Sequence, residues 1–210
     1  MNDERSGRGY RSQLRSQQAE LTRSLIAAAA RDRFLQHGWS GTTVRSVATA
    51  AGVSEATIYA VYGSKAGLAT SLIDSADAGA DVERATAELL AGAGDPRAQL
   101  RALLGFDRRL FETAGDVLRI IVEGARQHPA LAEAYRIGRD RGNKIRTEVY
   151  GAWPADVWRP GMDLHQALDI ASVISSIDSF DILRTERGWS ADRIESWWST
   201  TLSELFFGPP

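Results

Sequence analysis

The chain has 210 residues, 43% apolar and 25% charged, enough for one large domain or for a small one joined to a medium one. No run approaches the ~20 apolar residues of a membrane span, the opening residues lack an apolar secretory segment, and with no cysteine there is no disulfide, thiolate metal cage or cysteine nucleophile. A cytoplasmic protein with no membrane partner is expected. The formal charge is −2, yet residues 1–70 carry +4 and residues 71–210 carry −6, the asymmetry expected if only the first third meets a polyanion.

Apolar residues recur at three- and four-residue steps with no strand-like alternation, so an all-α fold is expected. Residues 1–17, rich in Arg, Ser, Gly and Gln with little to bury, read as a flexible basic arm. From Glu20 to His37 a helix carries Ile26, Ala30 and Phe34 on one face and ends at Gly38. A second short helix follows Thr42-Thr43, with Val44, Val47, Ala48 and Ala51 inward. Gly52 closes it, and Ser54 caps a third helix to Tyr62 whose inward residues are Ile58 and either Val61 or Tyr62. Gly63-Ser64 then starts a longer helix at Lys65.

Further helices are expected near 79–91 and, after the loop 92–96, along Leu100, Leu103, Leu104 and Leu110, interrupted at Gly115. A stripe of Val117, Ile120 and Ile121 stops at His128-Pro129, and a long helix spans 130–150. A loop with Trp153 and Trp158 precedes two final helices, 164–186 and 190–207, the latter capped by Ser190.

Segment 43–62 is the informative one. Two short helices joined by a glycine turn, the second opening on a serine cap, form a helix-turn-helix. Gly52 supplies the positive φ of the turn, and Ala48, Ala50 and Ala51 let the helices approach. The exposed face of the second helix presents Glu55, Ala56, Thr57 and Tyr59 to a major groove, where short side chains bring the backbone near the base edges. Helix N-termini at Thr43, Ser54 and Ser64 offer unpaired N–H groups to phosphates.

The run from Gly38 to Lys65, GWSGTTVRSVATAAGVSEATIYAVYGSK, resembles the DNA-binding signature of the tetracycline-repressor-like (TetR) regulators. The likeness extends over about residues 22–73. It implies a three-helix DNA-binding domain over 18–64 and a helical effector-binding and dimerisation domain over 65–210. It implies a homodimer that binds a palindromic double-stranded DNA operator, usually as a repressor, and answers a small-molecule effector. Carried over by position, Thr43, Tyr59 and Lys65 hold phosphates, Ser54 caps the recognition helix, Glu55, Ala56 and Thr57 face bases, and Arg45 stands at the groove edge. Departures from the usual pattern are Ala56 for a glycine, Ala60-Val61 for an aromatic or histidine pair, and Arg33 for an apolar residue.

In such a protein the last two helices form the dimer. The segment 164–186 places Asp178 and Asp181 inside an apolar arc that includes Ile174, with Ser172, Ser175, Ser176 and Ser179 opposite. One arrangement sets the serines against a partner subunit and the aspartates toward an effector cavity; the reverse, or an internal Asp–Arg pair, is the alternative. Phe106, Phe111, Tyr135, Trp153 and Trp158 are candidate lining residues. Trp197, Trp198, Phe206 and Phe207 exceed what one helix face buries, so part of them is expected across the dimer.

His37, His128 and His165 lack metal-ligand spacing, and neither a phosphate-cradling glycine loop nor a local Ser-His-Asp group is present, so no metal, cofactor or catalytic residue is expected. An activator of the same fold, or a helix-turn-helix used for protein contact, is the alternative to a repressor.

Overall fold

The computed structural model describes residues 3–208, with side chains for Leu14 and for residues 16–73 and 80–208. Among these the chain is helical, with no strand beyond one isolated bridge between Trp158 and Phe207. No described helix is long and apolar enough to cross a membrane. The chain divides within its fourth helix into two compact units, one up to Leu72 and one from Ile73.

The first unit holds α1 (Asp3–Gly41), α2 (Val44–Ala51), α3 (Glu55–Tyr62) and the first half of α4 (Lys65–Gly79). Ile26, Ala30 and Phe34, spaced one turn apart, are almost wholly buried together with Val44, Val47, Ala48, Ile58 and Leu68. Each of the larger side chains contributes about 1.5–3 kcal/mol of transfer free energy. α1 leaves helical geometry at Gly38, with φ 64°. The hydroxyl of the buried Thr42 lies 2.8 Å from the carbonyl oxygens of both Arg33 and Gly38, which serves acceptors that the helix end leaves free.

The arm expected at 1–17 is instead helical from Asp3 onward and continuous with α1. Arg, Gln, Leu and Glu are good helix formers, and extension of an existing helix avoids a new nucleus. Met1, Asn2 and the side chains of Arg5, Arg8, Arg11 and Arg15, the proposed basic arm, lie outside the described residues.

The second unit holds α5 (Val82–Ala91), α6 (Pro96–Ala125), α7 (Pro129–Gly151), a short 3-10 turn (Ala155–Val157), α8 (Leu164–Ile174), α9 (Ile177–Asp181) and α10 (Ala191–Phe206). Its core gathers Leu100, Leu104, Tyr150, Ile194, Trp198, Leu202 and Phe206. Two expectations are corrected here. α6 runs unbroken through Gly115, which is buried beside Ile177 of α9; a Cβ there would stand at an ordinary contact distance of 3.5 Å, so no close approach requires the glycine, and a single one costs a helix only about 1 kcal/mol. The helix expected over 164–186 breaks at Ser175-Ser176, because Ser176 turns extended and its hydroxyl caps α9 by accepting from the Ser179 N–H. A π-helical turn, Ile182–Glu186, then ends the segment.

The aromatic residues at the end of the chain divide. Trp198, Phe206 and Phe207 are all buried within the protomer, and Trp197 alone of the four is exposed. The bridge to Trp158 folds the end of the chain back, setting Phe207 beside Trp153 at 5.4 Å and under the Arg97 guanidinium at 4.9 Å.

Candidate nucleic-acid interface

The helix-turn-helix is built by local signals that each satisfy a backbone group. At the start of α2, Thr43 and Ser46 form a reciprocal cap: the Ser46 N–H donates to the Thr43 hydroxyl and the Thr43 N–H to the Ser46 hydroxyl. At its end Gly52 adopts φ 68°, ψ 30°, and the Val53 N–H reaches back to the Ala48 carbonyl at 3.0 Å. Ser54 then caps α3 by accepting from the Thr57 N–H at 3.1 Å. Substitution of Gly52 by Ala should cost about 1–2 kcal/mol through the left-handed backbone alone, since nothing stands within 4 Å of the added carbon; the urea midpoint of the chain measures it.

A second glycine does different work. A Cβ on Gly67 would stand 2.0 Å from the Tyr62 carbonyl oxygen, so α4 can start this close to the end of α3 only without a side chain there. The Gly67 N–H donates to the hydroxyl of Ser64, which caps α4. Nothing in the periodicity singles out Gly67; only the neighbouring carbonyl shows its purpose.

Thr43, Arg45, Ser54, Ala56 and Tyr59 are exposed, as are Ala60 and Val61, while Glu55 and Thr57 are half-buried. Ile58 is the inward residue of α3, and Tyr62 rather than Val61 accompanies it, with its ring half-buried and its phenol pushed above its ordinary pKa by that burial. The Thr57 hydroxyl stands 2.8 Å from that of Ser54, so it belongs to the cap as much as to the surface. Arg45 and Glu55, expected to act separately, meet: Arg45 Nε donates to Glu55 Oε1 at 2.8 Å, joining the first turns of α2 and α3. The carboxylate beside it raises the pKa of the guanidinium further.

Lys65 is also engaged. Its ammonium donates to the Trp39 carbonyl oxygen and lies 4.1 Å from the centre of the Trp39 ring, which itself stacks on Phe34. Burial lowers its pKa. A cation at a helix N-terminus opposes the helix dipole, and the freed carbonyl at the end of α1 accounts for its place. An ammonium has three N–H groups, so donors remain beyond the one given to Trp39.

The residues expected around an effector are dispersed through the second unit. Trp153 and Trp158 lie 5.2 Å apart in one aromatic cluster with Tyr150, Phe206 and Phe207. Phe111 packs with Phe180 and Trp198 in another, Tyr135 lies under Arg139, and Phe106 and Ile174 are half-buried. The aspartates do not share an inward face. Asp178 is exposed and Asp181 takes a 2.5 Å hydrogen bond from Arg119, the internal Asp–Arg pair left open by the sequence. Nor is the serine side bare, since Ser175 is buried with its hydroxyl on the Ala171 carbonyl. None of these residues lines the open cleft of about 520 Å³ among α5, α6 and α10, whose walls include Arg84, Glu88, Arg101, Arg108, Asp192 and Glu195.

Comparison with known proteins agrees with this architecture. Residues 26–72 match the family described as bacterial regulatory proteins, tetR family. No curated protein matches the chain. Among solved structures the chain resembles NalD, the secondary repressor of the MexAB-OprM multidrug efflux pump in Pseudomonas aeruginosa, at 21% identity and a TM-score of 0.71, over 91% of this chain and 98% of that one. It also resembles a candidate transcriptional regulator from Saccharomonospora viridis in complex with choline, at 19% identity and a TM-score of 0.68, over 89% and 98%. A candidate regulator of the same family from Mesorhizobium loti aligns at 20% identity and a TM-score of 0.61, over 89% and 96%. Residues 26–72 thus carry a helix-turn-helix that matches the tetR family, and the chain around it shares its all-α fold with these regulators.

Proposed function

We propose that the chain is a cytoplasmic transcriptional regulator that binds a palindromic operator as a homodimer, represses, and is released by a small-molecule effector. The observation that carries this is the helix-turn-helix itself: a capped α2 and α3 joined at Gly52, with Thr43, Arg45, Ala56 and Tyr59 exposed. Small side chains at 56 and 60 allow close approach to base edges. Tyr59, with no core to fill, is placed to donate its hydroxyl to a phosphate. Thr43 and the remaining N–H groups of Lys65 serve the same backbone.

A dimer reading two successive major grooves needs half-site centres about 34–36 Å apart. α4 contributes Lys65 to the first unit and continues into the second, so a ligand held by the second unit acts through that helix. It does so only by its differential affinity for the DNA-competent state, where about 1.4 kcal/mol of coupling changes operator affinity tenfold.

Selection of bound sequences from a random duplex pool at a stated salt concentration tests the reading. An enriched palindrome is expected; a folded dimer that enriches nothing would move the helix-turn-helix to protein contact. Tyr59→Phe should weaken all sequences alike by about 0.5–1.5 kcal/mol, the usual net value of one hydrogen bond. A base-specific loss in titrations of matched and mismatched duplexes would show that assignment wrong.

A further inference from the structure

The open cleft of about 520 Å³ among α5, α6 and α10 has charged walls, and α6 lines it with the small residues Ala98, Ala102 and Gly105. Most of the charge is paired within the walls. Arg84 Nε donates to Glu88 Oε1 at 2.7 Å, Arg109 Nη2 to Glu88 Oε2 at 3.3 Å, and Arg108 Nη2 to Asp192 Oδ1. Two atoms remain. Arg109 Nη1 and Glu195 Oε1 would stand 3.3 and 3.4 Å from a Cβ on Gly105, so both converge on the space that this glycine leaves open. Among the described residues neither makes a hydrogen bond: Arg109 gives its other nitrogens to Ala80 and Glu88, and Glu195 meets Arg108 through Oε2, at 3.7 Å. The Arg109 side chain is only 13% exposed, so bulk water serves its free N–H groups poorly. The Nε of Arg108 is buried without a hydrogen bond, Glu112 Oε2 standing 3.1 Å away but out of line, and such a donor calls for an acceptor.

A donor and an acceptor around one seat suit a ligand that carries both signs. A lone anion there meets the carboxylate of Glu195, and a lone cation meets the guanidinium of Arg109; either leaves one charge of the wall unmatched, whereas a zwitterion matches both. The four arginines of the lining are balanced by Glu88, Asp192, Glu195 and the adjoining Glu112, so the walls have no net charge for a simple ion to neutralise.

Resting on the regulator reading above, we propose that this cleft seats the effector and that the effector is a small zwitterion of the α-amino acid class. Its carboxylate accepts from Arg109 Nη1 and its ammonium donates to Glu195 Oε1, over Gly105. Arg109 also connects the cleft to the rest of the chain. Its Nε donates at 3.0 Å to the carbonyl of Ala80, the residue immediately after α4. The guanidinium is planar and moves as one group, so an occupant that draws on Nη1 acts on the end of the helix that begins at Lys65.

The test is calorimetric titration of the full chain with each of the twenty L-amino acids. The tightest is then compared with its carboxamide, which keeps only the ammonium, and its N-acetyl form, which keeps only the carboxylate. At least one amino acid is expected to bind with a Kd below about 1 mM, the order that two charged hydrogen bonds supply. Each analogue should bind about 10- to 150-fold more weakly, the loss of one such bond. Gly105→Ala sets a methyl group in the seat while raising helix propensity, so its urea midpoint should hold or rise while its affinity falls by a similar factor. Glu195→Gln should weaken the parent amino acid and bring the N-acetyl form level with it. The site is overturned if none of the twenty binds, if either analogue matches its parent on the unaltered chain, or if both variants bind as the unaltered chain does. An amino acid that binds and leaves the affinity for the enriched duplex unchanged overturns the effector role alone. A pool without any enriched palindrome overturns the DNA-binding reading and that role with it, while the titrations still decide the cleft.

Discussion

Replacement of Asp107 by Ala is expected to destabilise the second unit by about 3–5 kcal/mol. Asp107 on α6 and Arg146 on α7 form an ion pair through Arg146 Nη2 and Asp107 Oδ2, with side chains only 7% and 15% exposed. Burial raises the Asp107 carboxyl above the usual carboxylate range, against the pull of Arg146 and of the neighbouring Ser175 hydroxyl. Tyr150 lies in the same surroundings, its phenol pushed up by burial. Removing the carboxylate leaves a guanidinium, which cannot shed its proton, enclosed without a counter-charge. Removing both charges is a different matter: Asp107→Leu with Arg146→Met replaces the pair by apolar volume and should recover most of the loss. Urea unfolding of the single and double variants measures this. A loss below about 1 kcal/mol in Asp107→Ala would show that water reaches the pair.

Trp198→Ala is expected to cost about 3–5 kcal/mol, while Trp197→Ala costs less than about 1 kcal/mol in the protomer. The two residues are neighbours in sequence and opposite in environment. Trp198 is fully buried, edge-on to Phe111 at 6.1 Å and 6.0 Å from Phe180, with its indole N–H directed to the Ser179 hydroxyl at 3.4 Å. Its removal takes away packing from three elements at once, α6, α9 and α10. Trp197 is partly exposed and meets Trp189 edge-on at 6.1 Å. Comparable losses in the two variants would contradict the placement of α10. Concentration-dependent sedimentation of Trp197→Ala then separates its stability from any part in the proposed dimer, for which Val173 and Ile182, both exposed apolar residues of the same unit, are further candidates.

The helix-turn-helix was legible in the sequence because each of its signals acts within a few residues. The Thr43 cap, the left-handed Gly52, the Ser54 cap and the one-per-turn spacing of Ile26, Ala30 and Phe34 are all set by hydrogen bonds and side-chain stacking over one turn or two. They are found in the structure where the sequence placed them. The breaks were less legible. Gly115 and Ser175-Ser176 carry opposite signals, one a helix weakener that stays helical and the other a neutral pair that ends a helix. One glycine costs a helix only about 1 kcal/mol, too little to end α6, whereas the Ser176 hydroxyl caps a new helix at α9.

The site chemistry divides in the same way. The sequence by itself determined most of the outward face of α2 and α3, since helical periodicity assigns faces without reference to a partner, and left only the choice between Val61 and Tyr62 to the structure. Only the tertiary structure decided that Arg45 is bonded to Glu55, that Lys65 gives a donor to Trp39, that Asp107 meets Arg146 and that Phe207 folds back beside Trp153. These pairs stand 10, 26, 39 and 54 positions apart. At such separations a charge or a ring has many possible partners along the chain. The one it meets is selected by how whole helices pack, a choice that the burial of the shared core makes cooperatively and that no single turn encodes.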